Sequence, residues 1–186
     1  MNGDTMTGRS GHTLDDGIMP ELHDAYTTGL RNAHALEQQA LAIMDRQIDR
    51  LVHFAELDGQ LKMHRGETER QIARLEQILD ELDERPSALK DAAMKVGGNI
   101  AALGHSFADD EILKNTFSNV AFENYEIASY LSLIEMAQAA GLKGHVMLLE
   151  ETLAEERAMA QWLTAHVGDV TRKYLSLRAA PGAAPR

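Results

Sequence analysis

The chain has 186 residues, a formal net charge of −11 at pH 7 and no cysteine. This length fits one domain that can bury its own core. The absence of cysteine excludes disulfides, thiolate zinc sites, iron–sulfur clusters and a cysteine nucleophile. The acidic balance disfavours nucleic acid and anionic membranes as partners.

The two ends of the chain differ in composition from its middle. Residues 1–18 are rich in Gly, Thr and Asp, so we expect a disordered N-terminal arm, and we expect residues 178–186 to form a flexible tail. Residues 19–177 are rich in Ala, Leu, Glu and Gln, which favours helices. No apolar run approaches the roughly 20 residues of a membrane span. The N-terminus also lacks the apolar region of a signal peptide. We therefore expect a cytoplasmic protein.

The first predicted helix begins near Pro20, a favourable first-turn residue. Two signals leave its end open. Asp58-Gly59 is the strongest local turn signal, whereas the apolar stripe loses its order earlier, around residues 52–55. The second helix follows and ends at about Glu84. It stops there because Pro86 disfavours the helical conformation in the residue before it, Arg85.

A crossover joins this helical hairpin to a second one. Residues 87–104 contain a short predicted helix, and the third long helix begins near residues 109–110 and ends with Gly141 at the position after its cap. The fourth helix runs from about Leu142 to Val167, where Gly168 ends it, and a short helical piece over residues 171–177 follows. Two antiparallel hairpins joined by one crossover predict an all-α, ferritin-like four-helix bundle.

Each long helix places a carboxylate on or beside the apolar stripe that faces the bundle interior. The residues, in chain order, are Glu37, His64 with Glu67, Glu123 with Glu126, and Glu155 with Glu156. A buried carboxylate without a partner is costly and acquires a proton or a cation. Because all four helices contribute one, the pattern predicts a metal site between the helices.

The spacing of these carboxylates indicates their depth in the bundle. Glu126 and Glu156 are separated by 30 residues with their midpoint at Gly141, the predicted turn, so they should lie level. Glu37 and Glu67 have the same separation with their midpoint at Val52. These two lie level only if the first hairpin turns at the earlier of its two candidate positions.

Carboxylates with one or two imidazoles suit iron or manganese, with zinc as a further candidate. We predict a dinuclear site in which the bridging ligands are Glu67 and Glu156, the terminal ligands are Glu37 and Glu126, and the alternates or supporting groups are Glu123, Glu155 and His64. The Glu-x-x-His motif of dinuclear bundles is missing. His64-x-x-Glu67 reverses its order.

The third and fourth helices contain FENYEIASYLSLIEMAQAAG and LLEETLAEERAMAQWL. With GLRNAHALEQQAL and HRGETERQIARLEQIL in the first two helices, they resemble the YciE/YciF-type ferritin-like proteins, a bacterial stress-associated family. The resemblance covers about residues 20–175 and implies a dinuclear metal site and frequent dimerisation. The ligands that it implies by position are Glu37, His64, Glu67, Glu123, Glu126 and Glu155 or Glu156. Many relatives have His where this chain has Asn124.

Two classes of function follow. The first is a metal-binding protein whose paired iron or manganese ions react with oxygen or peroxide in a stress response, with no catalytic residue identified. The alternative is a non-catalytic bundle that sequesters metal or binds a partner. The expected partners are metal ions and a second copy of the chain, without nucleic acid or membrane.

Overall fold

The computed structural model describes residues 19–84 and 110–179. Within these ranges the chain forms four α-helices and no β-strand: α1 Pro20–Ile48, α2 Ala55–Glu81, α3 Glu111–Ala139 and α4 Lys143–Ala179. The expected N-terminal arm, the crossover helix and residues 180–186 lie outside the described residues. None of the four described helices combines the length and apolar character needed to cross a membrane.

The four helices pack as a bundle. Helices α1 and α4 each pack against both α2 and α3, so every helix has two principal neighbours. Two apolar clusters fill the interior. One lies towards the α1–α2 turn and includes Met44, Phe54 and Leu163, and the other lies towards the α3–α4 turn and includes Leu30 and Leu149. The predicted all-α, four-helix architecture is confirmed.

The first hairpin turns at the earlier of its two candidate positions. The turn occupies residues 49–54, and Asp58-Gly59 lies inside α2. Burial of Leu57 and Leu61 on the inner face of α2 favours the helix. It offsets the roughly 1 kcal/mol that a glycine costs in a helix. Asp58 also pairs with Lys62 at 2.7 Å one turn onward. The turn reading of Asp58-Gly59 is therefore wrong.

The ends of α2 and α3 each have a residue in the left-handed conformation. Gly141 has a φ of 72° and follows the cap of α3, as predicted. Helix α2 ends at Glu81, three residues before the predicted end at Glu84. Asp83 has a φ of 55° there, and the Glu84 amide donates to the Leu79 carbonyl at 3.0 Å. This bond closes the helix before the proline is reached.

Helix α4 is continuous through the predicted break. Gly168 is exposed inside the helix, while Val170 and Tyr174 continue the buried stripe. The apolar contacts of this stripe offset the helix-weakening effect of one glycine. The predicted end at Gly168 and the separate piece over residues 171–177 are therefore wrong. The helix also extends two residues beyond the predicted boundary at residue 177.

Candidate metal centre

A polar layer separates the two apolar clusters at the middle of the bundle. On each helix, an acidic or imidazole side chain lies between the residues of one cluster and the residues of the other. The buried polar residues of this layer are Glu37 on α1, His64, Thr68 and Gln71 on α2, Glu123 and Glu126 on α3, and Glu156 on α4. All four helices therefore place polar side chains at the same depth.

The most compact part of the layer is a group of three buried side chains, His64, Glu123 and Glu156, that we call the central triad. One ligand atom from each lies within 4.8 Å of the other two. His64 Nε2 lies 3.3 Å from Glu123 Oε2 and 3.8 Å from Glu156 Oε2. These atoms come from three different helices, so the fold itself brings them together.

Glu67 lies beside the central triad and holds the ring of His64. The Nδ1–H group of His64 donates to Glu67 Oε2 at 2.9 Å, and the Glu67 side chain is 20% exposed. The other ring nitrogen, Nε2, faces Glu123 and Glu156. A carboxylate on one imidazole nitrogen typically orients the other nitrogen towards a metal.

The environment of His64 favours a charged imidazole in the metal-free protein. Burial alone would lower its pKa, but contacts with Glu123 and Glu67 and the charge of Glu156 together raise the pKa to about 11. The same contact with His64 lowers the pKa of Glu67. One buried positive charge therefore faces several buried acids.

The remaining carboxylates of the layer are strongly perturbed. Burial raises the pKa of Glu156 well above its usual value, and nearby Glu123 and Glu37 add to the effect. Burial also raises the pKa of Glu126, helped by Glu37 and Glu156. The pKa of Glu37 rises to about 7, because burial outweighs a hydrogen bond from Tyr130. These acids retain protons at a pH where exposed ones have lost them.

Two side chains fix individual carboxylates of the layer. The Tyr130 hydroxyl donates to Glu37 Oε1 at 2.5 Å. The Gln71 side-chain amide donates to Glu156 Oε1 at 2.5 Å and to Glu155 Oε2 at 3.1 Å. Glu156 is thereby held through one oxygen, while its Oε2 atom has no hydrogen-bond partner and lies 3.8 Å from His64 Nε2.

Glu155 lies outside the interior of the layer and is neutralised by arginine. Arg74 Nη1 donates to Glu155 Oε2 at 2.7 Å, and Arg70 Nη2 lies 3.6 Å from Glu155 Oε1. Arg74 also pairs with Glu151 on the same face of α4. This ion pair distinguishes Glu155 from its neighbour Glu156, which no described lysine or arginine pairs with.

Three buried carboxylate oxygens of the layer have no well-formed hydrogen bond: Glu123 Oε2, Glu126 Oε1 and Glu156 Oε2. His64 Nε2 lies 3.3 Å from Glu123 Oε2 and forms an ion pair with it. A buried acceptor without a donor costs free energy unless a proton or a cation reaches it. Oxygen ligands with one imidazole suit iron, manganese or zinc. This donor set therefore fits a cation.

Of the seven predicted site residues, five are buried in the polar layer, Glu67 borders it, and Glu155 is turned towards Arg74. The layer also contains or contacts residues that the sequence pattern did not assign to the site: Thr68, Gln71, Arg74 and Tyr130. Gln71 lies on the same helix face as His64, seven residues onward, so helix periodicity could have identified it. No local signal identifies Arg74, because its partner is 81 residues away.

These features define a ferritin-like four-helix bundle with a buried layer of acids and one imidazole. The chain belongs to the family described as Domain of unknown function (DUF892), whose model matches residues 21–176. It is 29% identical over 157 residues to Protein YciF of Escherichia coli (strain K12). The alignment covers 78% of this chain and 85% of that protein. The resemblance to YciF-type proteins is thereby confirmed.

Solved structures have the same fold. A protein from Xanthomonas campestris pv. campestris matches with a TM-score of 0.71 and 26% identity, covering 86% of this chain and 99% of that chain. The structure described as the E. coli stress protein YciF matches with a TM-score of 0.67 and 22% identity, covering 83% and 99% of the two chains.

Proposed function

We propose that this chain is a metal-binding protein whose polar layer holds a carboxylate-bridged pair of iron or manganese ions that reacts with oxygen or peroxide. Zinc is the alternative metal for the same donors. As part of the proposal, the protein acts in the cytoplasm during stress, in line with the description of its relative YciF as a stress protein. Cell fractionation would test its location.

The observation that carries the proposal is the set of buried carboxylate oxygens without hydrogen-bond donors. In the described part of the chain, no lysine or arginine pairs with the four buried carboxylates Glu37, Glu123, Glu126 and Glu156. Among these described residues, His64 is their only counter-charge. Four ionised carboxylates would be balanced by two divalent cations. Two bound cations would thus offset the repulsion among the buried carboxylates and the cost of burying their charges.

The residues of the layer have distinct roles in this proposal. His64, Glu123 and Glu156 supply the most closely spaced donors, and Glu126 and Glu37 extend the site along the layer. Glu67 holds the His64 ring through Nδ1, so that Nε2 loses its proton when a cation binds.

Side chains around the ligands fix their direction and exclude water. Gln71 occupies one oxygen of Glu156 and leaves the other for a cation, and Tyr130 does the same for Glu37. The two apolar clusters limit water access on both sides of the layer. A bound metal pair would supply redox chemistry and an open position for oxygen or peroxide.

Anaerobic loading with Fe(II) followed by exposure to oxygen tests this function. We expect iron binding, oxygen consumption and a change in absorbance. In Glu156→Gln, we expect both binding and consumption to fall. Glu150→Gln is the matched control, because Glu150 is exposed on the same helix. Absence of iron binding in the wild-type protein contradicts the proposal. Iron uptake without oxygen consumption favours the alternative, metal sequestration.

We also propose that the protein forms a homodimer through the outer face of α3. Between Lys114 and Glu135, every exposed residue of α3 is uncharged: Phe117, Ala121, Asn124, Tyr125, Ala128, Leu131 and Ser132. An antiparallel second copy centred between Asn124 and Tyr125 brings Ala121 opposite Ala128 of the other copy. The same register brings Lys114, which also pairs with Asp110, opposite Glu135.

Sedimentation analysis of two exposed-alanine variants tests the dimer. Ala128→Arg should shift the protein towards monomer, because it introduces like charges at the centre of the contact. Ala154→Arg is the control, since Ala154 is exposed on α4. Lys114→Glu should weaken the dimer, and the added change Glu135→Lys should restore it. A wild-type monomer, or a dimer that Ala128→Arg leaves intact, contradicts the proposal.

A further inference from the structure

A second buried polar group lies towards the α3–α4 turn, away from the polar layer. Tyr26 on α1, His145 on α4 and Glu81 on α2 form one chain of hydrogen bonds that we call the tyrosine relay. Tyr26 Oη lies 3.2 Å from His145 Nδ1, and His145 Nε2 lies 3.1 Å from Glu81 Oε2. Tyr26 is 1% exposed and His145 is 3% exposed, whereas the Glu81 side chain is 44% exposed. The relay therefore leads from the core to solvent.

The chemistry of the three groups fixes the direction of the bonds. An ionised carboxylate only accepts hydrogen bonds, so the Nε2–H group of His145 donates to Glu81. In a neutral imidazole, Nδ1 is then the acceptor, and the Tyr26 hydroxyl donates to it. A buried phenol is thus in contact with a base, and that base contacts an acceptor open to water.

The location of Tyr26 connects it to the polar layer. Tyr26 and Tyr130 belong to the same apolar cluster, and the Tyr130 hydroxyl bonds to Glu37 in the layer. Tyr26 and Glu37 lie on the same helix, about 16 Å apart along its axis at ~1.5 Å per residue. A second buried phenol, that of Tyr130, therefore shares the apolar cluster of Tyr26 and contacts the site.

Tyr26 does not lose its proton by simple ionisation near neutral pH. Burial raises its pKa, and the nearby charge of Glu81 raises it further. Oxidation of a phenol is different, since removal of one electron makes its proton strongly acidic. A tyrosine with a base already in contact can lose both together.

We propose that Tyr26 is a redox-active tyrosine that donates one electron to the oxidised metal pair of the polar layer. Its phenolic proton moves to His145 Nδ1, and the proton on His145 Nε2 moves to Glu81. The products are a neutral tyrosyl radical, a neutral imidazole protonated on Nδ1, a protonated Glu81 and a metal pair reduced by one electron. The oxidant is the centre described under the proposed function, on which this inference rests.

Freeze-quenched electron paramagnetic resonance of the iron-loaded full chain, mixed with hydrogen peroxide, tests the electron donor. We expect a tyrosyl radical signal that Tyr26→Phe removes. Tyr125→Phe is the matched control, because Tyr125 is 65% exposed and lies outside the relay; it should keep the signal. Iron oxidation without a radical, or a radical that persists unchanged in Tyr26→Phe, overturns the inference and leaves the metal site standing.

A second arm of the experiment does not need the metal. Flash photo-oxidation of the metal-free full chain with a ruthenium photo-oxidant should form a Tyr26 radical, identified by its loss in Tyr26→Phe. Its yield should fall in His145→Gln, which keeps a polar side chain but no base. Glu81→Gln, which keeps a hydrogen-bond acceptor at a half-exposed position, should also lower the yield. A Tyr26 radical yield unchanged by both variants overturns the relay, whatever the iron-binding result.

Discussion

The metal-free protein should lose stability as the pH rises, and Glu37 allows the size of this effect to be calculated. Burial raises the pKa of Glu37 from 4.5 to about 7. The folded state therefore binds this proton more tightly than the unfolded state does. The stability that the proton contributes is fully present below pH 4.5 and is lost as the pH rises through about 7.

The expected magnitude follows from the two pKa values. At about 1.4 kcal/mol per pH unit, the Glu37 contribution to the free energy of unfolding falls by roughly 2–3 kcal/mol between about pH 5 and about pH 8. The raised pKa values of Glu126, Glu156 and His64 act in the same direction. Glu37→Gln removes the ionisable group, and its side-chain oxygen can still accept the Tyr130 hydrogen bond.

Urea unfolding at fixed protein concentration, with a chelator present, measures this effect. The wild-type free energy of unfolding should fall from pH 5 to pH 8, and in Glu37→Gln the fall should be smaller by roughly 2–3 kcal/mol. Glu150→Gln should behave as the wild type. Added metal should remove or reverse the fall, because cations bind the ionised form. A wild-type stability that is flat or rising over this range refutes the reasoning, as does an unchanged fall in Glu37→Gln.

The remaining predictions concern one supporting residue and two glycines. Gln71→Leu should weaken metal retention by roughly 10–100-fold in chelator competition, because it releases Glu156. The control Gln138→Leu, at an exposed position, should retain metal as the wild type does. Equal retention in both variants would exclude a positioning role for Gln71. Gly59→Ala should stabilise the fold by about 1 kcal/mol, since Gly59 lies inside α2 with open space around it. Gly141 has the same open space around it but a φ of 72°, so Gly141→Ala should destabilise the fold by about 1–2 kcal/mol in the same denaturation assay. A change in stability of the same sign in both glycine variants would contradict the argument from backbone conformation.

Helix periodicity predicted the four-helix architecture because every long helix has a buried stripe. The turn between α3 and α4 was also predictable, since Gly141 follows the apolar stripe directly. At Asp58-Gly59 and at Gly168, local glycine signals pointed to helix ends that do not exist. In both places, buried residues on the opposite face continue the helix, and this tertiary contribution is not visible in a local turn signal.

The polar layer was predictable in outline for the same reason. The carboxylates interrupt apolar stripes, and the separation of Glu126 and Glu156 matched the turn at Gly141. The detailed roles depend on how far each helix is rotated about its axis. That rotation directs His64 inward with Glu67 at its side, and it brings Arg74 to Glu155. The contact between His64 and Glu67 follows from their spacing of three residues on one helix. The inward direction of His64 and the contact of Arg74 with Glu155 do not, because both depend on the packing of α2 against other helices.

The metal content of protein purified without added metal tests the central claim most directly. We expect a pair of iron or manganese ions per chain in the wild type. Glu123→Gln and Glu156→Gln should lose most of this metal, while Glu150→Gln should keep it. Wild-type protein that carries no metal and takes up none on loading would contradict the account, as would variants of the central triad with the metal content of the wild type.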